Sequence, residues 1–167
     1  AARAHQLQRK QEALELAQQR GERSAEATLR NNLGLVREAR GEVEQAAQLF
    51  RQAMALNQAL GNLEAEASNH VNLGMLAEAR RDYEAAEREY ERALELDKTA
   101  EQRMEIAADL QRLGRIAERR GFPDRGLAFS ERAYRSYLAQ GAFAQARSAL
   151  SQAVGCAKKM ERAGDLA

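Results

Sequence analysis

The chain has no Trp, one Pro and one Cys in 167 residues, and only 5% of its residues are aromatic. A single cysteine, Cys156, excludes an internal disulfide and fits a reducing compartment, so a cytoplasmic location is expected. Without interleaved aromatics, the basic stretch at 114–126 offers no stacking platform for single-stranded nucleic acid. β-branched residues are scarce, so no sheet is expected. No apolar run approaches ~18 residues, which excludes a spanning helix. The opening "AARAHQLQRK" lacks the apolar segment of a secretion signal. Nor is there an excess of one charge: 26 Lys and Arg face 25 Asp and Glu, a net charge of +1. That balance argues against a dedicated nucleic-acid partner and against a polybasic membrane-surface segment.

Chemistry-bearing constellations are also missing. There is no Ser/His/Asp set, no Gly-rich phosphate loop and no pair of carboxylates at a strand end. His5 and His70 lie far apart, with no nearby ligand spacing that suggests a metal. Cys156 reads as a small core residue. No enzyme activity, cofactor or metal is therefore expected.

What the chain does contain is Ala, Glu, Arg, Gln and Leu throughout, with hydrophobic residues at 44%. This is a helix composition with enough apolar content to fold. It also contains a period. "NNLGLVREARG" at 31–41, "VNLGMLAEARR" at 71–81 and "QRLGRIAERRG" at 111–121 are near copies, 40 residues apart. Gly34, Gly74 and Gly114 keep step, as do Leu33, Leu73 and Leu113. Glu38, Glu78 and Glu118 follow four residues after each Gly. Then come Gly41, Arg81 and Gly121 where a helix should end. A small residue recurs at Ala46, Ala86 and Gly126, followed by Phe50, Tyr90 and Ser130, and by Ala53, Ala93 and Ala133.

Each unit reads as two amphipathic helices. Ala67, Val71, Leu73, Met75, Leu76 and Ala79 give one apolar face; Ala86, Tyr90, Ala93, Leu94 and Leu96 give the next. Asp82 is placed to cap a helix, and Pro123 falls in a first turn, where its missing N–H costs nothing. Gly at 21, 61 and 141 marks further breaks. Helices are predicted at roughly 3–20, 23–40, 43–60, 63–80, 83–98, 101–120, 123–140 and 143–161, with ends good to about ±2–4 residues. Gly34 sits inside a helix and is read as a close-approach residue, not a stop. Arg81 would cost ~1 kcal/mol or more if its turn needs a left-handed backbone.

These columns resemble the tetratricopeptide repeat, with Leu-Gly in a first helix, Gly at the turn, and small–aromatic–small in a second helix. The usual period is 34 residues, and here it is 40. The longer variant is similar to repeats of spindle-orientation adaptors, kinesin light chains and bacterial regulators. The resemblance implies an all-α fold, with antiparallel helix pairs stacked into a right-handed superhelical solenoid. The whole of 1–167 is expected to form one such domain. In that reading 1–20 is the second helix of an incomplete repeat, 23–60, 63–98 and 101–140 are full repeats, and 143–167 is partial. "ERAGDLA" at the end resembles "EARGEVE" at 38–44, so another second helix is expected to begin there. A start at Ala instead of Met supports a slice of a longer array, with ends that could self-associate.

The resemblance further implies that first helices line a concave groove. Carried over by column, the groove residues are Thr28, Asn31, Asn32, Leu35 and Glu38; Ser68, Val71, Asn72, Met75 and Glu78; and Gln111, Arg112, Arg115 and Arg119. Ala108 and Glu118 stand in the same columns. Some relatives hold a C-terminal carboxylate in a Lys/Asn/Arg clamp. Asn72 and Arg112 sit at two of its positions, but Asn31, Leu35 and Ala108 replace the rest. A peptide or protein segment with mixed polar and apolar contacts is expected instead. The Asn residues can clamp a peptide backbone or brace neighbouring helices. Leu35 and Met75 can be core or ligand-facing, and the Glu column can be a solvated or i,i+4-paired face. The function expected is a scaffold or adaptor; the alternative is a sensor arm of a larger bacterial signalling protein, a transcription activator or ATPase, receiving a peptide or small effector.

Overall fold

The computed structural model describes residues 2–164, with side chains from residue 8 onward. The His5 side chain and residues 165–167 lie outside the described part. The described chain is eight helices: α1 (Ala2–Gln19), α2 (Arg23–Glu38), α3 (Val43–Leu60), α4 (Leu63–Ala79), α5 (Tyr83–Thr99), α6 (Arg103–Arg119), α7 (Pro123–Ala139) and α8 (Phe143–Gly164). Each helix packs against the next in sequence, and α6 also touches α8. The result is an α-solenoid with no strand among the described residues.

The same turn recurs every 20 residues. At 21, 41, 61, 81, 101, 121 and 141 the backbone takes a left-handed φ, between 55° and 85°. The following N–H then reaches back five residues, as from Glu42 to the Arg37 carbonyl (2.9 Å) and from Asp82 to the Ala77 carbonyl (3.0 Å). That bond closes the helix end and reverses the chain. Gly supplies the left-handed residue at five of these positions; Arg81 (φ 62°) and Glu101 (φ 55°) supply the others. Sequence reading anticipates Arg81 but not Glu101. Asp82 caps α5 by accepting from the Ala85 N–H, and Asn62 caps α4 in the same way.

Gly34 and Gly74 are the close-approach points within units. A Cβ on Gly34 would stand 2.5 Å from the Phe50 ring, and one on Gly74 would stand 2.6 Å from the Tyr90 ring. Both rings are fully buried, each burial being worth roughly 1.5–3 kcal/mol. The third pair is built differently. Ser130 replaces the ring, and a Cβ on Gly114 would meet the Ser130 hydroxyl at 2.7 Å and the Gly126 carbonyl at 3.2 Å. Two glycines there let the backbones of α6 and α7 approach directly.

α8 departs from expectation. It runs three residues beyond the predicted end at 161, because residue 161 keeps a helical backbone where Gly41, Arg81 and Gly121 turn. Leu150 and Val154 on α8 are exposed. They stand 40 residues after Leu110 and Gly114, both of which are buried.

Candidate functional site

The first helices α2, α4, α6 and α8 lie side by side, tied by side chains that cross from one to the next. Asn72 of α4 donates to the Asn31 side-chain oxygen of α2 (2.8 Å). Arg115 of α6 grips Glu78 of α4 with two parallel bonds (2.9 and 2.8 Å). Gln111 of α6 donates to Ser148 of α8 (2.9 Å), and Lys159 of α8 pairs with Glu118 of α6 (2.7 Å). Their outward faces therefore join into one surface.

The residues singled out from sequence fall in three places on that surface. Ser68, Val71, Asn72 and Arg112 line a cleft of about 370 Å³ between α4 and α6, together with Glu64, Asp97, Gln102 and Glu105. Gln111 and Arg115 line a second cleft of about 720 Å³ between α6 and α8, together with Arg147, Ser148, Ser151 and Gln152. Thr28 lies apart, beside the α1–α2 turn with Arg23, Leu29 and Leu60. Leu35 (41% exposed) and Met75 (44%) are open to solvent. Asn32 and Glu38 are half-buried. Arg119 stands 3.8 Å from Glu78 and over the Tyr83 ring.

Several of these side chains already have work inside the fold. Thr28 and Ser68 bond back to carbonyls of their own helices, at Ser24 and Glu64. Asn31 accepts from both Asn72 and Asn69 (3.0 Å), and Asn69 in turn accepts from Asn57 (2.8 Å). This relay runs from α3 through α4 to α2, so Asn31 and Asn72 brace neighbouring helices. Glu78 is neither solvated nor paired within its own helix. It binds Arg115 across units and accepts from the Tyr90 hydroxyl (3.1 Å), because its column faces the next first helix. Burial raises its pKa, but the bonds from Arg115 and Tyr90 and the charges of Arg115 and Arg119 win, and its carboxyl lies below the ordinary range. Burial and the adjacent Glu78 push the Tyr90 phenol up.

Sequence reading overlooks the relay's buried members and their counterparts one unit on. Asn57 and Asn69 become Asp97 and Asp109, each 40 residues later. Asp109 is 0% exposed and Asp97 3% exposed. Arg112 donates to one Asp109 oxygen (2.6 Å), while the other has no N–H or O–H donor. Burial, above all, pushes the Asp109 carboxyl up to about 7, and burial raises Asp97 as well. The adjacent Asp97 adds to the rise at Asp109, and the Arg112 charge opposes it. The signal was present in the sequence: polar residues repeat at the 40-residue period on faces that are otherwise apolar.

His70 is buried, with Nδ1 2.7 Å from Glu89. Among the described residues, no three metal-ligating side chains converge. Cys156 is a buried thiol packed near Gly126, and burial pushes its pKa up.

Residues 25–99 match the family model of the tetratricopeptide repeat. The fold is that of a tetratricopeptide-like helical repeat. No curated protein matches the chain. Among solved structures, BtubC (BKLC) from P. vanneervenii is similar over 81% of this chain and 56% of its own, with 23% identity and a TM-score of 0.74. The apo form of RapI is similar over 96% of this chain and 64% of its own, at 11% identity and a TM-score of 0.60. The nearly identical TPR-like repeats of a putative kinesin light chain from Podosopora anserina cover 94% of this chain and 97% of theirs, at 16% identity and a TM-score of 0.55. The chain thus spans less than two thirds of the length of the first two. At these identities the likeness is one of fold.

Proposed function

We propose that the chain is a protein-interaction module that holds an extended peptide or protein segment along the joined face of α2, α4, α6 and α8. The observation that carries this is a contrast between columns. Positions that build the solenoid repeat: Leu33, Leu73 and Leu113 are all buried. Positions that open onto the first-helix face do not repeat: Leu35, Met75 and Arg115 succeed one another. A shared column supports the scaffold, while a varied, accessible column can select a ligand. The 40-residue period and the likeness to kinesin-light-chain repeats support placing the chain in the long-period variant of the repeat.

The clefts between first helices suit side chains of such a segment. They are open and polar, unlike an enclosed site for a small apolar molecule. Screening the folded chain against an array of extended peptides tests the reading. Binding that is lost on Met75→Glu, with the thermal midpoint preserved, is the expected result. An array with no binder, together with a groove occupied by the chain's own segments, would overturn it.

A further inference from the structure

The joined first-helix face changes character half-way along. Three columns lie one, four and five residues after Gly34, Gly74, Gly114 and Val154. On α2 they hold Leu35, Glu38 and Ala39, and on α4 Met75, Glu78 and Ala79. On α6 they hold Arg115, Glu118 and Arg119, and on α8 Gly155, Lys158 and Lys159. Every cation in these columns thus lies on α6 or α8. Arg147 adds another, exposed on the wall of the α6–α8 cleft.

The fold does not neutralise these cations. Arg115 and Arg119 share one carboxylate, Glu78 (2.8 and 3.8 Å), and Lys159 takes Glu118 (2.7 Å). Among the described residues, Arg147 and Lys158 stand in no ion pair, and both are exposed. Five cations therefore meet two carboxylates, and the α6–α8 end of the face carries a positive field. Neutral donors line the same cleft: the Ser148 and Ser151 hydroxyls and the Gln111 and Gln152 amides. The α2–α4 end is apolar where it is open, with Leu35 and Met75 exposed. The two ends adjoin, since Arg115 is bonded to Glu78, three residues on from Met75.

We propose that the face selects an apolar–acidic segment: its apolar side chains rest on Leu35 and Met75, and its Asp or Glu side chains enter the α6–α8 cleft. Charge complementarity selects the acid, which finds surplus cations and neutral donors in one place. At a step of ~10 Å between neighbouring helices and ~3.3 Å per extended residue, Met75 and that cleft lie roughly three to six residues apart along the segment. This inference rests on the peptide-binding reading for its biological ligand, but the cationic end can be probed without it.

Two probes separate the two ideas. The first is acetyl-tetraglutamate amide, titrated into the labelled protein and followed by NMR at the Gly155 backbone amide and the Gln111 and Gln152 side-chain amides. The second is an array of extended peptides, acetylated and amidated so that no terminal carboxylate is present, in which each Asp or Glu is exchanged for Asn or Gln. The variant is Arg147→Glu with Lys158→Glu, two exposed side chains outside the ion pairs of the fold; Arg147→Gln with Lys158→Gln serves if the reversed variant fails to fold. Expected are saturable shifts at the cleft in the parent and not in the variant. Expected too is about a three- to tenfold preference for Asp or Glu over the amides, which salt weakens and the variant loses. Peptides that bind with no such preference would overturn the acidic end and leave the groove. Cleft shifts with no bound peptide would support the acidic end and remove the groove. Neither shifts nor peptide binding would overturn both.

Discussion

Replacing Asp109 with Asn should change the pH dependence of stability. In the parent, the buried carboxyl is pushed up to about 7 from an ordinary 3.8, chiefly by desolvation. A raised acid is protonated more readily in the folded state than in the unfolded one. Its stabilising effect is therefore full below about 3.8 and is lost as pH rises toward 7. At 1.36 kcal/mol for each pH unit, and with the slope not fully developed at pH 4, the loss between pH 4 and pH 7 is about 3 kcal/mol. Asn has the same shape and does not titrate. Its oxygen can accept from Arg112 and its amide can donate to Asp97, the reverse of the pair one unit earlier, where Asn57 donates to Asn69. Urea unfolding followed by circular dichroism at pH 4, 5, 6, 7 and 8 measures the difference. The variant's advantage should grow by about 3 kcal/mol across that range, equivalent to about 6–12 °C in Tm. Parallel stability profiles for the two proteins would refute an elevated pKa at Asp109.

Arg81→Gly should stabilise the chain by about 1 kcal/mol, because Arg81 holds a φ of 62° that costs an L-residue about that much; a thermal melt reads it as a rise of about 2–4 °C. Gly74→Ala should lower the midpoint despite better helix propensity, since the new methyl would stand 2.6 Å from a fully buried Tyr90 ring and overpacking costs about 1–3 kcal/mol. Glu78→Ala should destabilise by about 1–3 kcal/mol, because it leaves Arg115 and the Tyr90 hydroxyl without their partner; a double-mutant cycle with Arg115→Ala isolates the pair. Cys156, buried and with its pKa raised, should react with a thiol reagent at the rate of local opening, and denaturant should abolish that protection.

The solenoid was legible because its determinants are local and repeat. A left-handed turn needs Gly, a close approach needs Gly, and a ring needs a small residue opposite; each leaves one letter at a fixed interval. Glu101 and residue 161 escaped for the same reason. A left-handed backbone at Glu101 is imposed by its neighbours' bonds, with no Gly to announce it. The continuation of α8 past 161 depends on the absence of a stop, which one residue type does not encode.

The functional face was only half legible, since its partners are set across units. Arg112 reads in sequence as a free cation for a ligand carboxylate, yet Asp109, three residues back on α6, already holds it. That pairing shows only when the buried acids are placed. The relay columns also explain how one scaffold can carry different chemistry. Asn57 donates to Asn69 as one neutral amide to another, and Asp97 and Asp109 stand in the same columns one unit on, with Arg112 donating to Asp109. The exchange keeps the helix packing but places an ionisable carboxyl at a cleft wall. Glu64 and Glu105 at the rim add negative charge where Ser24 and Ala65 would not. The charge of one cleft can thus change in three columns while the Leu, Gly and aromatic columns that build the array remain as they are.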